Sequence, residues 1–270
     1  MTLIAAYNFE QSDDPAAADV SSNGHDLAWG ENGTLVVGYH GDYAVLSGAG
    51  NQLEWGAGAY GPYAGGSPLG APLSVLFWAK VANVADTTYI SVANEPGATD
   101  RDDPMGIWVT SEGAVLAWWY SDANQDGPAP LSVLTGLVTN NTWAHVAVVF
   151  VPGTGVTVYV DGSTATTYVW QAGSTSFLAT WETLLVGSSR WGSNYATIDD
   201  LRIFDEALTP GQISILMHEP VGGALCSGKI KVWDGTQWQA HSLKAWDGVT
   251  WVTHSVSGST DDMTFVKGKG

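Results

Sequence analysis

The sequence has little cysteine, few cationic residues and only short apolar runs, and each shortage excludes a class of structure. Its 270 residues include one cysteine, Cys226, so no intrachain disulfide can form. No apolar run approaches the ~18 residues that a transmembrane helix needs. The first residues, MTLIAAYNFEQ, lack a basic region and a long apolar stretch, so we expect no signal peptide.

Positive charge is scarce and unevenly placed. Lysine and arginine number 9 against 27 acidic residues, which gives a formal net charge of −18. Residues 1–226 hold four cations and 23 acids, whereas residues 227–270 hold five lysines and four acids. An acidic body of this kind repels phosphates and anionic membranes, so we expect no nucleic-acid partner and no membrane insertion.

What the sequence does contain is typical of a turn-rich β protein. Hydrophobic residues make up 45% of the chain, and 33 glycines separate short apolar runs. Residues 144–151 are apolar on both faces apart from His145, which predicts a central strand that continues through a Pro-Gly turn into residues 156–160. The best helical candidate is residues 209–217, with Thr209 as N-cap. The pattern predicts an all-β antiparallel jelly-roll sandwich.

A tandem thirteen-residue repeat lies near the C-terminus, KVWDGTQWQAHSL (231–243) followed by KAWDGVTWVTHSV (244–256). Each copy predicts a hairpin, turning either on Asp-Gly alone or on four residues beginning there. In both cases the two tryptophans of a copy share one face. Two small hairpins cannot bury such faces alone, so we expect the tryptophans to be docking residues. They are Trp233, Trp238, Trp246 and Trp251.

Composition predicts four segments along the chain. A jelly-roll domain is expected over residues 1–220, followed by a glycine-rich linker over 221–228. The repeat then forms a two-hairpin module over 229–256, and residues 257–270 form a polar tail.

Several short motifs resemble one family when taken together. They are W-A-H-V (143–146), V-Y-V-D-G (158–162), I-D-D-L-R-I-F (198–204), D-V-S-S-N-G (19–24) and L-S-V-L-F-W-A-K (73–80). In their order along the chain they resemble the laminin-G-like, concanavalin A-like jelly rolls. The resemblance implies two packed antiparallel sheets of roughly twelve to fourteen strands.

Carboxylates are present, but not in a pattern typical of hydrolysis. Related glucanases place acids in an E-x-D-x-E strand, and this sequence has none. Asp199 and Asp200 are adjacent, so in a regular strand they would face opposite ways. We interpret them as fold-stabilising acceptors or calcium ligands, and His145 as a satisfied structural histidine. We therefore expect no enzyme activity, no catalytic residue and no cofactor-binding residue.

Two ligand types remain open. Asp122, Asn124 and Asp126 match the first half of a calcium-binding loop, but the glutamate expected at its twelfth position is Val133, which favours a plain Asx turn. Trp119, Tyr60 and Tyr63 could contact a glycan, although core packing also suits Trp119.

The C-terminal repeat also predicts in which kind of particle the protein is found. Short K-x-W-D-G-x-x-W repeats behind a laminin-G-like domain resemble tail and surface proteins of bacteriophages that infect actinobacteria. That resemblance implies a non-enzymatic virion protein, either a minor tail protein or a capsid decoration protein. It would be assembled in the host cytoplasm, form a homo-oligomer and contact other virion proteins. The alternative is a carbohydrate-binding, lectin-like module that recognises host-surface glycans.

Overall fold

The computed structural model of the chain divides into two compact units, Met1–Val221 and Gly222–Gly270. It describes residues 3–10, 16–21, 23–29, 34–41, 44–46, 53–55, 72–81, 87–93, 105–109, 114–119, 138–169, 183–186, 196–222, 230–233, 238–241, 243–246 and 251–254. Within these residues lie nineteen strands and one short helix.

The first unit is built from two antiparallel sheets. Its elements are β1 (Leu3–Tyr7), β2 (Ala16–Ala17), β3 (Leu27–Trp29), β4 (Thr34–Val36), β5 (Ala44–Leu46), β6 (Leu53–Trp55), β7 (Leu73–Val81), β8 (Thr87–Ala93), β9 (Met105–Val109), β10 (Val115–Trp119), β11 (Ala144–Val151), β12 (Gly155–Val160), β13 (Ser163–Val169), β14 (Thr183–Val186), β15 (Ala196–Phe204) and α1 (Pro210–Leu216). One sheet has eight strands in the order β13-β12-β11-β7-β15-β5-β4, with β1 also paired to β15. The other has seven strands in the order β10-β9-β8-β14-β6-β3-β2.

This architecture confirms the predicted all-β antiparallel jelly-roll class. The fifteen strands of the first unit slightly exceed the roughly twelve to fourteen expected of the fold. The excess comes from very short pairings such as β2, which has two residues.

The central hairpin forms as the sequence predicts. β11 pairs with β12 from Val146↔Val160 to Val151↔Gly155, and all of β11 except Val151 is buried. β12 then reverses into β13 through Asp161 and Gly162, whose φ angles of 49° and 71° are those of a type I′ turn. The Asp-Gly pair therefore sets this reversal locally, because both residues tolerate positive φ.

Side chains from the inner faces of both sheets make one continuous core. Val75 and Phe77 from the eight-stranded sheet lie in the same cluster as Ile107 and Val115 from the seven-stranded sheet, and all four are fully buried. Burial of each such side chain contributes about 1.5–3 kcal/mol to folding. This core fixes which positions of every strand face outward.

The helix α1 begins where the sequence predicts. Thr209 is its N-cap and Pro210 its first residue, and a capping box joins the Thr209 hydroxyl with Gln212. Ile213 and Leu216 are the buried residues of the helix. In the described part of the chain, no helix is long and apolar enough to cross a bilayer.

The second unit contains two short hairpins, one from each copy of the repeat. β16 (Ile230–Trp233) pairs with β17 (Trp238–His241), and β18 (Leu243–Trp246) pairs with β19 (Trp251–His254). Trp233 lies directly opposite Trp238, and Trp246 directly opposite Trp251. This register selects the four-residue turn, and the two-residue Asp-Gly alternative is wrong. Residues directly opposite each other in an antiparallel pair share one face of the sheet.

Candidate functional site

The helix α1 covers one end of the outward face of the eight-stranded sheet. Leu208, Ile213 and Leu216 pack there against a small apolar cluster contributed by the strands, namely Leu76, Ala147, Val149, Tyr159 and Phe204. Arg202 ties the end of the helix to β15, because its guanidinium donates to the carbonyl oxygens of Leu216 (3.0 Å) and Glu219. The helix therefore covers this end of the face.

Beside the helix, the same outward face carries an aromatic cluster. The register aligns His145 on β11, Trp78 on β7 and Asp199 on β15 in one row. Tyr39 lies over Trp78, with ring centroids 3.6 Å apart and an interplanar angle of 23°. Trp143 meets the edge of Tyr39 at 5.8 Å. We call Tyr39, Trp78, Trp143 and His145 the aromatic cluster.

A bulge in β15 brings two adjacent carboxylates to the same segment. Asp199 Oδ2 accepts hydrogen bonds from the backbone N–H groups of Tyr39 (2.7 Å) and His40 (3.0 Å). Asp200 Oδ2 contacts His40 Nδ1, and Asp200 Oδ1 accepts from the N–H of Val221 at 2.9 Å. Asp200 has a φ of 50°, and the register shifts between Asp199 and Arg202. The expectation that these carboxylates face apart is therefore wrong, because it assumed a regular strand.

Burial makes the Asp199 carboxyl a weaker acid than an ordinary aspartic acid. Loss of solvent raises the pKa of its carboxyl, the nearby Asp200 carboxylate raises it further, and the backbone N–H donors partly offset both, leaving it at about 7. All these contacts tie together parts of the fold. They agree with the first of the two predicted roles, fold-stabilising acceptors, and they leave neither carboxyl group exposed to a substrate.

His145 is buried but not satisfied. Its side chain has no exposed surface, and neither ring nitrogen has a hydrogen-bond partner in the part of the chain that the structure describes. Burial lowers the pKa of the imidazole to about 3, with smaller contributions from Arg202, His218 and His40. The expectation that the polar atoms of His145 are satisfied is therefore wrong. Trp78 Nε1 also lacks a partner there.

The D-x-S-x-N-G motif is explained by the fold. Asp19 accepts hydrogen bonds from the backbone N–H groups of Ala6 (2.9 Å), Ser21 (2.9 Å) and His25 (3.0 Å). Burial raises the pKa of Asp19, but these bonds and the Ser21 hydroxyl outweigh it, so the net pKa falls below the usual value. The motif therefore anchors its loop to β1 and offers no free carboxylate.

The outward face of the seven-stranded sheet is defined by its register. Ile107 pairs with Ala117 and Val115 with Val109, and the buried Ile107, Ala117 and Val115 belong to the core. Since neighbouring positions of a strand alternate between faces, positions 106, 108, 116 and 118 lie on the opposite face. Trp118 pairs there with Gly106, and Trp108 with Leu116.

The same row continues across the sheet. Gly106 pairs with Ser91, Ser91 with Leu185, and Leu185 with Glu54. We call this set of outward positions the sheet platform: Glu54, Ser91, Trp108, Leu116, Trp118 and Leu185. It combines two tryptophan positions with two polar ones on one face.

The predicted site residues fall in several places. Trp119 pairs with Met105 and shares its face with Ala117, which is the core-facing side. The glycan candidates Tyr60 and Tyr63 and the calcium candidates Asp122, Asn124 and Asp126 lie outside the described residues. Among the residues that are described, no group of three or more His, Cys, Asp or Glu side chains could hold a metal ion. Calcium and the contact at Trp119 stay predictions.

Sequence reasoning missed the aromatic cluster and Trp118. Trp78 and Trp143 lie in motifs of the laminin-G-like resemblance, which was a usable signal for a shared location. Tyr39 carries no such signal, because it reaches the cluster through Asp199, 160 residues away.

Solved structures similar to this chain include toxin binding domains, a domain of an arabinanase and a sialidase from Trypanosoma rangeli. The binding domain of Paraclostridial Mosquitocidal Protein 1 aligns with a TM-score of 0.60 and 12% identity, over 90% of this chain and 56% of that one. Domain 4 of AbnA, a GH43 extracellular arabinanase from Geobacillus stearothermophilus in complex with arabinotriose, aligns with a TM-score of 0.57 and 21% identity, over 80% of this chain and 98% of that one. The botulinum neurotoxin serotype D ligand binding domain in complex with N-acetylneuraminic acid aligns with a TM-score of 0.55 and 16% identity, over 85% of this chain and 53% of that one.

This chain spans only about half of the mosquitocidal and neurotoxin binding domains, and at these identities the likeness shows a shared fold. No curated protein matches the sequence. Residues 56–214, more than half of the chain, match the Laminin_G_3 family, described as the concanavalin A-like lectin/glucanases superfamily. The chain therefore belongs to the laminin-G-like family of the concanavalin A-like lectin/glucanases superfamily.

Proposed function

We propose that the protein is a non-enzymatic carbohydrate-binding module and that the sheet platform is its binding face. The observation that carries the proposal is the register that puts Trp108 and Trp118 on the outward face of the seven-stranded sheet. A pyranose ring has an apolar face that packs on an indole, so two tryptophans on neighbouring strands would accommodate successive sugars.

The polar positions of the platform supply the directional contacts. Glu54 and Ser91 lie in the same row as Trp118, and both residue types hydrogen-bond to sugar hydroxyls. Gly106, which lies directly opposite Trp118 in the register, has no side chain of its own. Stacking surfaces flanked by a few polar groups are the usual composition of a sugar site.

The similar structures support a sugar ligand without fixing which one. One was solved with arabinotriose and another with N-acetylneuraminic acid. A binding role without catalysis is supported by Asp19, Asp199 and Asp200, because each of these three carboxylates accepts hydrogen bonds from backbone N–H groups of the fold. The first ligands to test are therefore neutral and acidic oligosaccharides, each with and without calcium.

The test is a glycan array followed by titration of the best ligand. Replacing Trp118 or Trp108 by alanine should weaken binding about tenfold or more, since loss of a stacking aromatic removes on the order of 1.4 kcal/mol. Ile215→Ala is the matched control, because Ile215 is 60% exposed on α1, which packs on the other sheet. Undiminished binding by both tryptophan variants would rule out the sheet platform.

A second candidate function, displayed attachment on a bacteriophage particle, is favoured by the second unit. Its two hairpins repeat the same directly opposed tryptophan pairs, and its residues are near neutral in charge beside a strongly acidic first unit. We propose that Trp233, Trp238, Trp246 and Trp251 dock the module onto a tail or capsid protein, or onto further copies of this chain. Close packing of acidic first units costs electrostatic repulsion, so the near-neutral unit is the easier one to bury.

Deletion of residues 227–270 tests this attachment role. The shortened protein should keep its glycan binding and lose incorporation into virions, measured by immunogold labelling of purified particles. Normal incorporation of the shortened protein would exclude an attachment role for the repeat.

A further inference from the structure

Tyr39 acts as a cover over Trp78 in the aromatic cluster. The two rings are stacked 3.6 Å apart, yet Tyr39 is 41% exposed while Trp78 is only 5% exposed. Tyr39 is thus the more exposed member of the stacked pair. If the tyrosine side chain turned away, the indole face of Trp78 would open to solvent.

Three ring nitrogens of the aromatic cluster have no hydrogen-bond partner. They are Trp78 Nε1, His145 Nδ1 and His145 Nε2 within the part of the chain that the structure describes, and all are buried. The rings that carry them lie side by side, with centroids 5.3 Å apart at an interplanar angle of 67°. Buried polar atoms are nearly always hydrogen-bonded in native proteins. Three unpartnered atoms in neighbouring rings therefore indicate a site for a polar ligand.

The donor and acceptor capacity of these three nitrogens determines which class of ligand could bind them. A neutral imidazole has one N–H donor and one acceptor nitrogen, and the indole adds a second donor. A hydroxyl group both donates and accepts, so a sugar can satisfy both kinds of atom. A carboxylate accepts only, and it would meet the acidic pair Asp199 and Asp200, which contact the neighbouring His40. The ligand that matches these atoms is therefore a neutral polyol.

The cover can open without unfolding its loop. Asp199 Oδ2 accepts hydrogen bonds from the backbone N–H groups of both Tyr39 and His40. These bonds fix the backbone of Tyr39 to β15. Rotation of the Tyr39 side chain about its χ1 angle leaves these hydrogen bonds intact. Exposed side chains exchange rotamers on fast timescales, so such a cover does not prevent binding but competes with it.

We propose that Trp78 and His145 form a second glycan site, gated by Tyr39, which takes one neutral pyranose ring on the Trp78 indole. In the closed state the tyrosine ring occupies the place of the sugar. This site lies on the eight-stranded sheet, away from the sheet platform, and goes beyond the proposed function.

The test compares Tyr39→Ala with Tyr39→Phe in the full chain. Glucose, galactose and N-acetylglucosamine are titrated while NMR follows the indole N–H signal of Trp78, which is assigned with a Trp78→Phe variant. In Tyr39→Ala the signal should shift, with a Kd about tenfold lower than in the parent protein, because no stacked ring must be displaced. Tyr39→Phe keeps the stacked ring and should behave like the parent.

Two further results complete the test. Adding His145→Leu to Tyr39→Ala should abolish the gain in affinity, whereas Trp118→Ala should leave the Trp78 shift unchanged even if binding to the sheet platform fails. A folded Tyr39→Ala protein whose Trp78 signal responds to none of the three sugars would overturn the proposal. So would a persistent contact between that N–H and a long-lived internal water that excess sugar does not displace.

Discussion

Replacement of His145 by leucine should make the protein more resistant to acid. The imidazole is fully buried, and its pKa is about 3, against about 6.5 for an unfolded histidine. Its neutral form stabilises the fold fully above pH 6.5, and that stability is lost progressively as the pH falls towards 3. At pH 5 the unfolded chain binds a proton that the folded chain excludes, which costs about 2 kcal/mol of stability.

Leucine removes this titration together with two unpartnered nitrogens. At pH 7.5 the unfolding free energy of His145→Leu should stay within about 1 kcal/mol of the parent, since the change in shape is modest and no hydrogen bond is lost. Between pH 7.5 and pH 5 the variant should gain about 2 kcal/mol relative to the parent. Urea denaturation at both pH values, followed by tryptophan fluorescence, measures the difference.

The comparison must be made between variants because Asp199 titrates in the opposite sense. Its raised pKa, about 7, gives stability that is present below its unfolded value of 3.8 and is lost as the pH rises through 7. The two groups partly cancel in the parent between pH 5 and 7, so the profile of the parent alone is uninformative. Val149→Ala, a buried substitution on the same strand, should cost about 2 kcal/mol equally at both pH values. A His145→Leu difference that does not change with pH would show that the imidazole has the same pKa in the folded and unfolded protein.

Two further predictions concern the attachment of α1. Thr209→Ala should lower the unfolding free energy by about 1 kcal/mol, because the Thr209 hydroxyl accepts from the Gln212 N–H, and Thr209→Ser should recover most of it. Ser74→Ala should cost about 1–3 kcal/mol in thermal or urea unfolding, because the buried Ser74 hydroxyl donates to the Glu206 carbonyl (2.6 Å) and accepts from the Leu208 N–H (3.0 Å). Loss of less than about 0.5 kcal/mol at Ser74 would mean that water replaces both contacts.

The parts of the fold that could be predicted from the sequence are those fixed by neighbouring residues. The hairpin of residues 144–160 follows from an apolar run, a Pro-Gly turn and an alternating strand. The start of α1 follows from Thr209 and Pro210, which satisfy the first turn of the helix locally. The opposed tryptophans in each repeat follow from alternation once the turn length is known.

The aromatic cluster could not be predicted, because it depends on contacts between distant segments. β15 changes partner along its length, pairing with β5 at Thr197 and Ile198 and with β1 from Leu201 onward. The bulge at Asp200 lies where the partner changes, and it brings both carboxylates to Tyr39 and His40. Alternation along a strand places Trp118 and Trp119 on opposite faces, but which of the two positions faces the core depends on the pairing of β9 with β10.

The few cationic side chains of residues 1–226 bear on which kind of glycan the two proposed sites would bind. Residues 1–226 hold four cations, and one of them, Arg202, is buried and donates to backbone carbonyls. Another, Lys80, lies 4.9 Å from the centre of the Trp143 ring, where it makes a cation–π contact. The excess of acidic residues over cations in residues 1–226 repels a sialylated or uronic glycan at long range. Neutral sugars escape that penalty, and stacking on tryptophan needs no charge. Both proposed sites therefore converge on neutral glycans, although one similar structure binds an acidic sugar.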